Sequence, residues 1–349
     1  MYKAVILCLG LVLSAARAWP SDHLLYFEGQ EIFGYSSALG HTIPYSMSPN
    51  SEMQKPSLGF DYLQRFSGES GDVAILAIQG RLAVTPLETG QGYKAEGPKI
   101  LDYEHDGYKT QPQLYNAYLK VKTPWSYVWI GHNRPAFGLS STLDSHGLLL
   151  STLGMRFGYD RDWGIGATRD LSWGDIAASV TSGSGMGLYT SQTGIPFDSH
   201  YMTAARVSYG VLSRDNFNLG FSLADGKTLD TTGYTLANLE PRPMRLAGVD
   251  LTILRNNLEH RFDLLSGEWL GTDILALFYR FGVNIDEEGR YKIEAQPVYW
   301  QLGEERNYQD SLCFSFRATS NLTIRTAYVY DHLLNDNRFL LQLYFYRLI

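Results

Sequence analysis

The chain has 349 residues, of which 44 % are apolar and 19 % charged, and its 29 Lys and Arg stand against 36 Asp and Glu for a formal net charge of −7. That acidic balance removes nucleic acid as a partner. Two cysteines make no disulfide framework, and the absence of C-x-x-C-H, paired zinc cysteines or H-E-x-x-H leaves no motif for a haem, a metal or another cofactor.

Lys3, the apolar run Ala4 to Leu13 and the small-x-small Ala16-Arg17-Ala18 read as a secretory signal peptide over residues 1–18, with the mature chain starting at Trp19. Its removal takes away Lys3, Arg17 and Cys8, leaving 27 bases against 36 acids, a net of −9, and Cys313 alone. Beyond it no apolar run approaches the roughly 18 residues that a membrane helix needs. The run Ile274 to Val283, for example, is broken by Arg280. A membrane helix bundle is therefore excluded, which leaves the β-barrel as the way to cross a bilayer with every backbone group paired.

Side chains alternate across a strand, and on that test sixteen extended segments follow in order. Leu24 to Tyr35, Ser57 to Phe66, Asp72 to Val84, Gln113 to Lys122 and Ser126 to Asn133 come first, then Gly158 to Arg169, Trp173 to Thr181 and His200 to Gly210. In Asn216 to Ala224 the residues Phe217, Leu219, Phe221 and Leu223 alternate with Asn218, Gly220, Ser222 and Ala224, which no helical period fits. Arg245 to Leu254, Leu258 to Gly267, Ile274 to Val283, Tyr291 to Trp300, Ser311 to Ala318 and Leu322 to Tyr330 lead to the last segment, Arg338 to Ile349. There Phe339, Leu341, Leu343 and Phe345 form a wholly apolar side, and the open edge of so long a strand calls for pairing with the first one.

The connections alternate in length. Residues 40–56, 85–112, 134–157, 182–199 and 225–244 are long, whereas those between them, such as Ser67 to Gly71 and Arg255 to Asn257, are short. Short periplasmic turns and long outer loops are the layout of an outer-membrane barrel. With 24 Tyr and 7 Trp, many near strand ends (Trp125, Tyr127, Trp163, Trp173, Tyr201, Tyr209, Tyr279, Tyr291), the chain also has the stock for interfacial girdles.

The fold expected is an all-β transmembrane antiparallel barrel of about sixteen strands spanning residues 19–349, wide enough for an aqueous pore. Its inward positions include Arg65, Arg81, Lys120, Lys122, Arg206, Arg261, Arg280, Lys292, Arg317 and Arg325, against Asp61, Asp175, Asp250, Asp263 and Glu294. Most other acids, among them Asp331 and Asp336, fall in outer loops. A wall richer in bases favours anions; the alternative is that these charges pair across neighbouring strands.

The closing segment resembles the last strand of bacterial outer-membrane barrels, although Arg347, Leu348 and Ile349 follow its final aromatic. Over the mature chain the layout resembles the general porin family, in which the third outer loop folds into the barrel and narrows the channel. The loop 134–157 is too apolar, with Leu148, Leu149, Leu150, Leu153 and Met155, to lie in water. The resemblance makes Arg134, Asp144, His146 and Arg156 its candidate constriction residues. The run Gly158 to Gly164 (GYDRDWG) is loosely similar to an Arg-Asp motif of phosphate-selective porins, the alternative being a local charge cluster at a strand start.

These readings imply a Gram-negative outer-membrane channel for small hydrophilic solutes, set in lipid and lipopolysaccharide, often as a homotrimer. Two other classes stay open. One is a scaffold sheathing a periplasmic or surface multihaem cytochrome, and the other is an outer-membrane hydrolase. For the hydrolase the eight histidines are scattered singly with no G-x-S-x-G, and Asp144, Ser145 and His146, as neighbours on one loop, do not face one reacting atom. No catalytic residue is assigned.

Overall fold

The structure, a computed structural model, describes residues 21–45, 54–69, 71–86, 103–105, 108–187 and 199–349. The expected signal peptide, residues 1–18, and much of the expected loops 40–56, 85–112 and 182–199 lie outside the described residues. The strands are β1 (Ser21–Ser36), β2 (His41–Ile43), β3 (Ser57–Gly68), β4 (Gly71–Pro86), β5 (Tyr103–His105), β6 (Tyr108–Lys122), β7 (Tyr127–Asn133), β8 (Asp162–Leu171) and β9 (Gly174–Thr181). They continue as β10 (Tyr201–Tyr209), β11 (Phe217–Thr232), β12 (Thr235–Arg255), β13 (Leu258–Trp269), β14 (Thr272–Asn284), β15 (Tyr291–Leu302), β16 (Glu305–Arg317), β17 (Leu322–Asp331) and β18 (Asp336–Leu348). Sixteen of them make a closed antiparallel wall, and the three-residue β2 and β5 hang on its rim.

Closure is the pairing anticipated for the last strand: β18 runs against β1 from Ser36↔Arg338 to Tyr26↔Leu348. No long edge is left to template aggregation. Among the described residues no helix is long and apolar enough to cross a membrane.

The register separates two faces. Phe33, Leu58, Phe60, Ile130, Ile165, Val180, Phe221, Leu223, Leu312 and Phe339 all point outward and are exposed. Glu28, Gln30, Gln79, Arg206, Asp250, Arg280, Gln309 and Gln342 point inward and are buried. An apolar exterior around a polar interior is what a lipid-facing barrel requires, the inverse of a soluble sandwich.

Four sequence expectations change. Residues 225–244 are not a loop: β11 and β12 continue as a paired hairpin to Thr232↔Thr235, turning on Gly233 and Tyr234. Polar side chains such as Lys227 and Asp230 had masked a strand in which Thr228, Leu229 and Thr231 are buried. The sixth segment starts at Asp162, as β8, because Gly158 to Arg161 belong to the preceding loop. Tyr127 faces inward, its ring 4.8 Å beneath Lys120 Nζ, so it is no girdle residue. Asp331 and Asp336 end β17 and begin β18 as buried partners of Asn307 and Ser36.

Candidate functional site

After Asn133 the chain turns into the barrel and returns to the wall only at Asp162. Backbone amides of this inner loop donate hydrogen bonds to wall side chains placed strand by strand. Ala136 N donates to Ser179 Oγ on β9 (2.9 Å), Gly138 N to Ser222 Oγ on β11 (3.0 Å) and Leu139 N to Asp263 on β13 (3.4 Å). The loop then crosses the lumen. His146 Nε2 lies 2.5 Å from Glu28 Oε2 on β1, half-way around the wall from β11.

On the return, wall side chains donate to loop carbonyls. Arg325 Nη1 reaches Gly147 O (2.9 Å), Arg280 Nη2 reaches Leu150 O (3.3 Å) and Gln296 Nε2 reaches Ser151 O (3.0 Å). A buried loop must satisfy its backbone somewhere, and here the barrel interior supplies the partners.

Apolar packing fixes the rest. Phe137, Leu139, Leu143, Leu153 and Phe157 join Met202, Leu246, Leu265, Phe278 and Trp300 of the wall in one cluster. Leu149 and Leu150 join Ile32, Cys313, Val329 and Leu340 in another. The leucines that had no place in water are therefore covered by the inner wall.

A one-turn helix, Leu153–Phe157, closes the loop; the Thr152 side chain accepts from Met155 N, and Gly158 at φ 78° ends it. A Cβ on Gly158 would lie 2.2 Å from Thr231 Oγ1, so both the left-handed backbone and the approach to β11 need glycine.

The base of the loop is an ion cluster around Arg161, whose side chain is fully buried. Its Nη1 meets Asp160 Oδ2 at 3.0 Å, its Nε donates to Asn116 Oδ1 at 3.1 Å and its Nη2 is 3.6 Å from Asp144. The guanidinium sits 4.2 Å over the Tyr115 ring. An irregularity in the β4–β6 register opposite Gln79 and Gly80 brings adjacent Tyr115 and Asn116 both inward, as a β-bulge does. In this cluster GYDRDWG is an internal brace rather than an exposed anion contact.

Of the four loop candidates, Arg134 and Asp144 face each other at 3.2 Å. Loss of water around Asp144 raises its carboxyl, but Arg134 and Arg161 outweigh that and hold it below the ordinary range. His146 is committed to Glu28. Arg156 stacks 3.8 Å over Trp300 and donates to Gln309 (3.1 Å), and burial pulls its guanidinium down to about 10. Ser145 Oγ donates to Asp160 Oδ2 (3.0 Å), so Asp144, Ser145 and His146 address three different partners.

The wall bases divide. Arg206 is held by Asp250 (2.7 Å), Asp175 (3.4 Å) and Asn218. Arg81 lies 3.8 Å from Glu28, Arg261 pairs with Glu259, and Lys292 with both Glu259 and Glu294 at 3.0 Å. Among the described residues Arg280 and Arg325 donate to amide and carbonyl oxygens and to no carboxylate. Among the described residues Arg65, Lys120 and Lys122 have no carboxylate partner, and no group of acidic, His or Cys side chains is arranged to hold a metal. Glu28, Tyr115, Ser179 and Ser222 escaped the sequence reading. Their only signal was a polar residue at an inward position, which many wall positions share.

No family model and no curated protein matches the sequence. Solved structures do resemble it. A loop L8 deletion mutant of OmpT, an outer membrane protein of Vibrio cholerae, superposes with TM-score 0.61 at 11 % identity, covering 94 % of this chain and 99 % of that one. The anion-selective porin from Comamonas acidovorans gives 0.59 at 10 % identity, covering 95 % and 100 %. The outer membrane channel DcaP of Acinetobacter baumannii gives 0.56 at 11 %, covering 94 % and 97 %. Identity this low speaks for architecture alone: the chain shares the closed antiparallel β-barrel fold of these outer-membrane porins.

Proposed function

We propose that the protein is exported by its first 18 residues to the outer membrane of a Gram-negative cell. There it acts as a passive channel for small hydrophilic solutes and ions, narrowed by the inner loop and leaning towards anions. The observation that carries this reading is the loop stretched from β11 to β1 inside a sixteen-strand wall with an apolar exterior. A wall of that size leaves an aqueous lumen, and a loop across it sets the passage.

Arg134, Asp144, His146 and Arg156 fix the loop at its narrow point. The lean towards anions comes from Arg65, Lys120, Lys122, Arg280 and Arg325, which among the described residues form no ion pair, whereas the Arg206, Arg261 and Lys292 groups are neutralised locally. One similar solved structure, OmpT of Vibrio cholerae, is described in a trimer form, and a homotrimer is the assembly proposed here. Single-channel recording of the refolded protein in a planar bilayer under a salt gradient tests the reading. Steps of stable size with an anion-side reversal potential are expected, and a folded, inserted protein that passes no current overturns it.

A further inference from the structure

On the outward face of β12 and β13, close to the barrel end where β1 begins and β18 finishes, the wall carries a groove of about 570 Å³. Its floor and sides are Leu251, Ile253, Leu258 and Phe262. The polar groups at its edge are few. His260 Nδ1 is engaged by the Tyr279 hydroxyl at 2.8 Å, both groups satisfying each other on the lipid side. Arg255, the last residue of β12, is exposed and ends the groove.

Carboxylates on the adjoining turns are paired with other bases. In the adjoining turn between β14 and β15, Arg290 takes Glu288 (2.9 Å) and Asp286 (3.3 Å), and beyond β11 Asp215 is bound by Arg214 (2.7 Å). Among the described residues Arg255 has no acidic partner. A hydrocarbon slot capped by one uncompensated guanidinium at the level where the wall meets water has a specific complement: a long apolar chain bearing a single negative head.

We infer that this groove binds one anionic glycerophospholipid of the leaflet facing the chain termini, with an acyl chain between Ile253 and Phe262 and the phosphate on Arg255. The site rests on the proposed placement in a membrane, and not on conduction. A second copy of the chain fits less well, because an apolar partner strand would leave the guanidinium unanswered.

Native mass spectrometry of the full-length protein, exchanged into a neutral detergent and offered phosphatidylglycerol, phosphatidylethanolamine or phosphatidylcholine, tests it. The expected result is one phosphatidylglycerol retained per chain, at least tenfold over phosphatidylcholine. Arg255→Gln lowers that retention at least tenfold and Arg255→Lys largely keeps it. Ile253→Trp, which fills the slot, abolishes retention, while heat-modifiable migration on gels confirms that each variant is folded. Equal retention by Arg255→Gln, no preference among the three lipids, or a crosslink from position 258 to another copy overturns the site. Conductance of the same samples separates the two readings: a barrel that keeps its lipid and passes no current sinks the channel alone.

Discussion

His146 and Glu28 are 118 positions apart in the chain, yet the imidazole of one and the carboxylate of the other meet at 2.5 Å in the middle of the barrel. This contact fastens the far end of the inner loop to the wall. A hydrogen bond to a charged group is worth about 1.5–3 kcal/mol, enough to change how firmly the loop is held without unfolding a closed barrel. His146→Ala and Glu28→Gln are expected to raise single-channel conductance and current noise while leaving heat-modifiable migration unchanged. A variant as quiet as the native channel refutes the fastening role.

The paired and unpaired bases predict opposite outcomes. Lys120→Gln together with Lys122→Gln removes wall charge that no carboxylate balances, and the reversal potential is expected to move towards cations. Arg206→Met removes charge that Asp250 and Asp175 already cancel. It leaves a buried Asp250 unanswered, at a cost of about 3–5 kcal/mol, so the yield of refolded barrel and its denaturation temperature are the quantities expected to fall. If the two variants exchange these phenotypes, the division of the wall is wrong.

Acid acts on the loop through Asp144, whose carboxyl is held below its ordinary value of 3.8 by Arg134 and Arg161. A lowered carboxylate contributes fully above that ordinary value, and its contribution disappears as pH falls through the lowered one. Channels recorded at about pH 5 and above are therefore expected to behave alike, with added noise setting in below about pH 4. In Asp144→Asn that acid transition is absent and the noise is present at every pH. A transition that persists in the variant assigns it to another group.

Gly131 on β7 has φ 127°, and a Cβ there would lie 2.2 Å from Ala117 O on β6. Both the conformation and the contact exclude a side chain. Gly131→Ala is expected to lower assembly by about 2 kcal/mol or more, read as a drop in folded fraction in urea titrations. The control Gly40→Ala, at a turn with open space around it, should lose less.

The wall was readable because one physical rule repeats sixteen times. Each strand shows lipid one face and water the other, so Phe217, Leu219, Phe221 and Leu223 announce themselves without any tertiary information. Where that contrast disappears the reading fails. Beyond Ala224 the β11–β12 hairpin carries polar side chains even at buried positions such as Thr228 and Thr231, so with Lys227 and Asp230 it looked like loop. The inner loop was visible through leucines that had no other place to go. Its anchors were not, since Ser179, Ser222 and Glu28 are ordinary polar residues until the fold brings the loop past them. Tyr115 and Asn116 depend on a single register shift, which strict alternation cannot express.

A tube of hydrogen-bonded strands resists stretching along its circumference but yields readily to being squashed into an oval. The inner loop changes that mechanics. By tying Ser222 on one side to Glu28 on the other, it works as a spoke, and the wall cannot flatten along that diameter without either breaking the tie or compressing the packed leucines beside it. The segment that crosses the interior thus keeps the tube round under the lateral pressure of its surroundings.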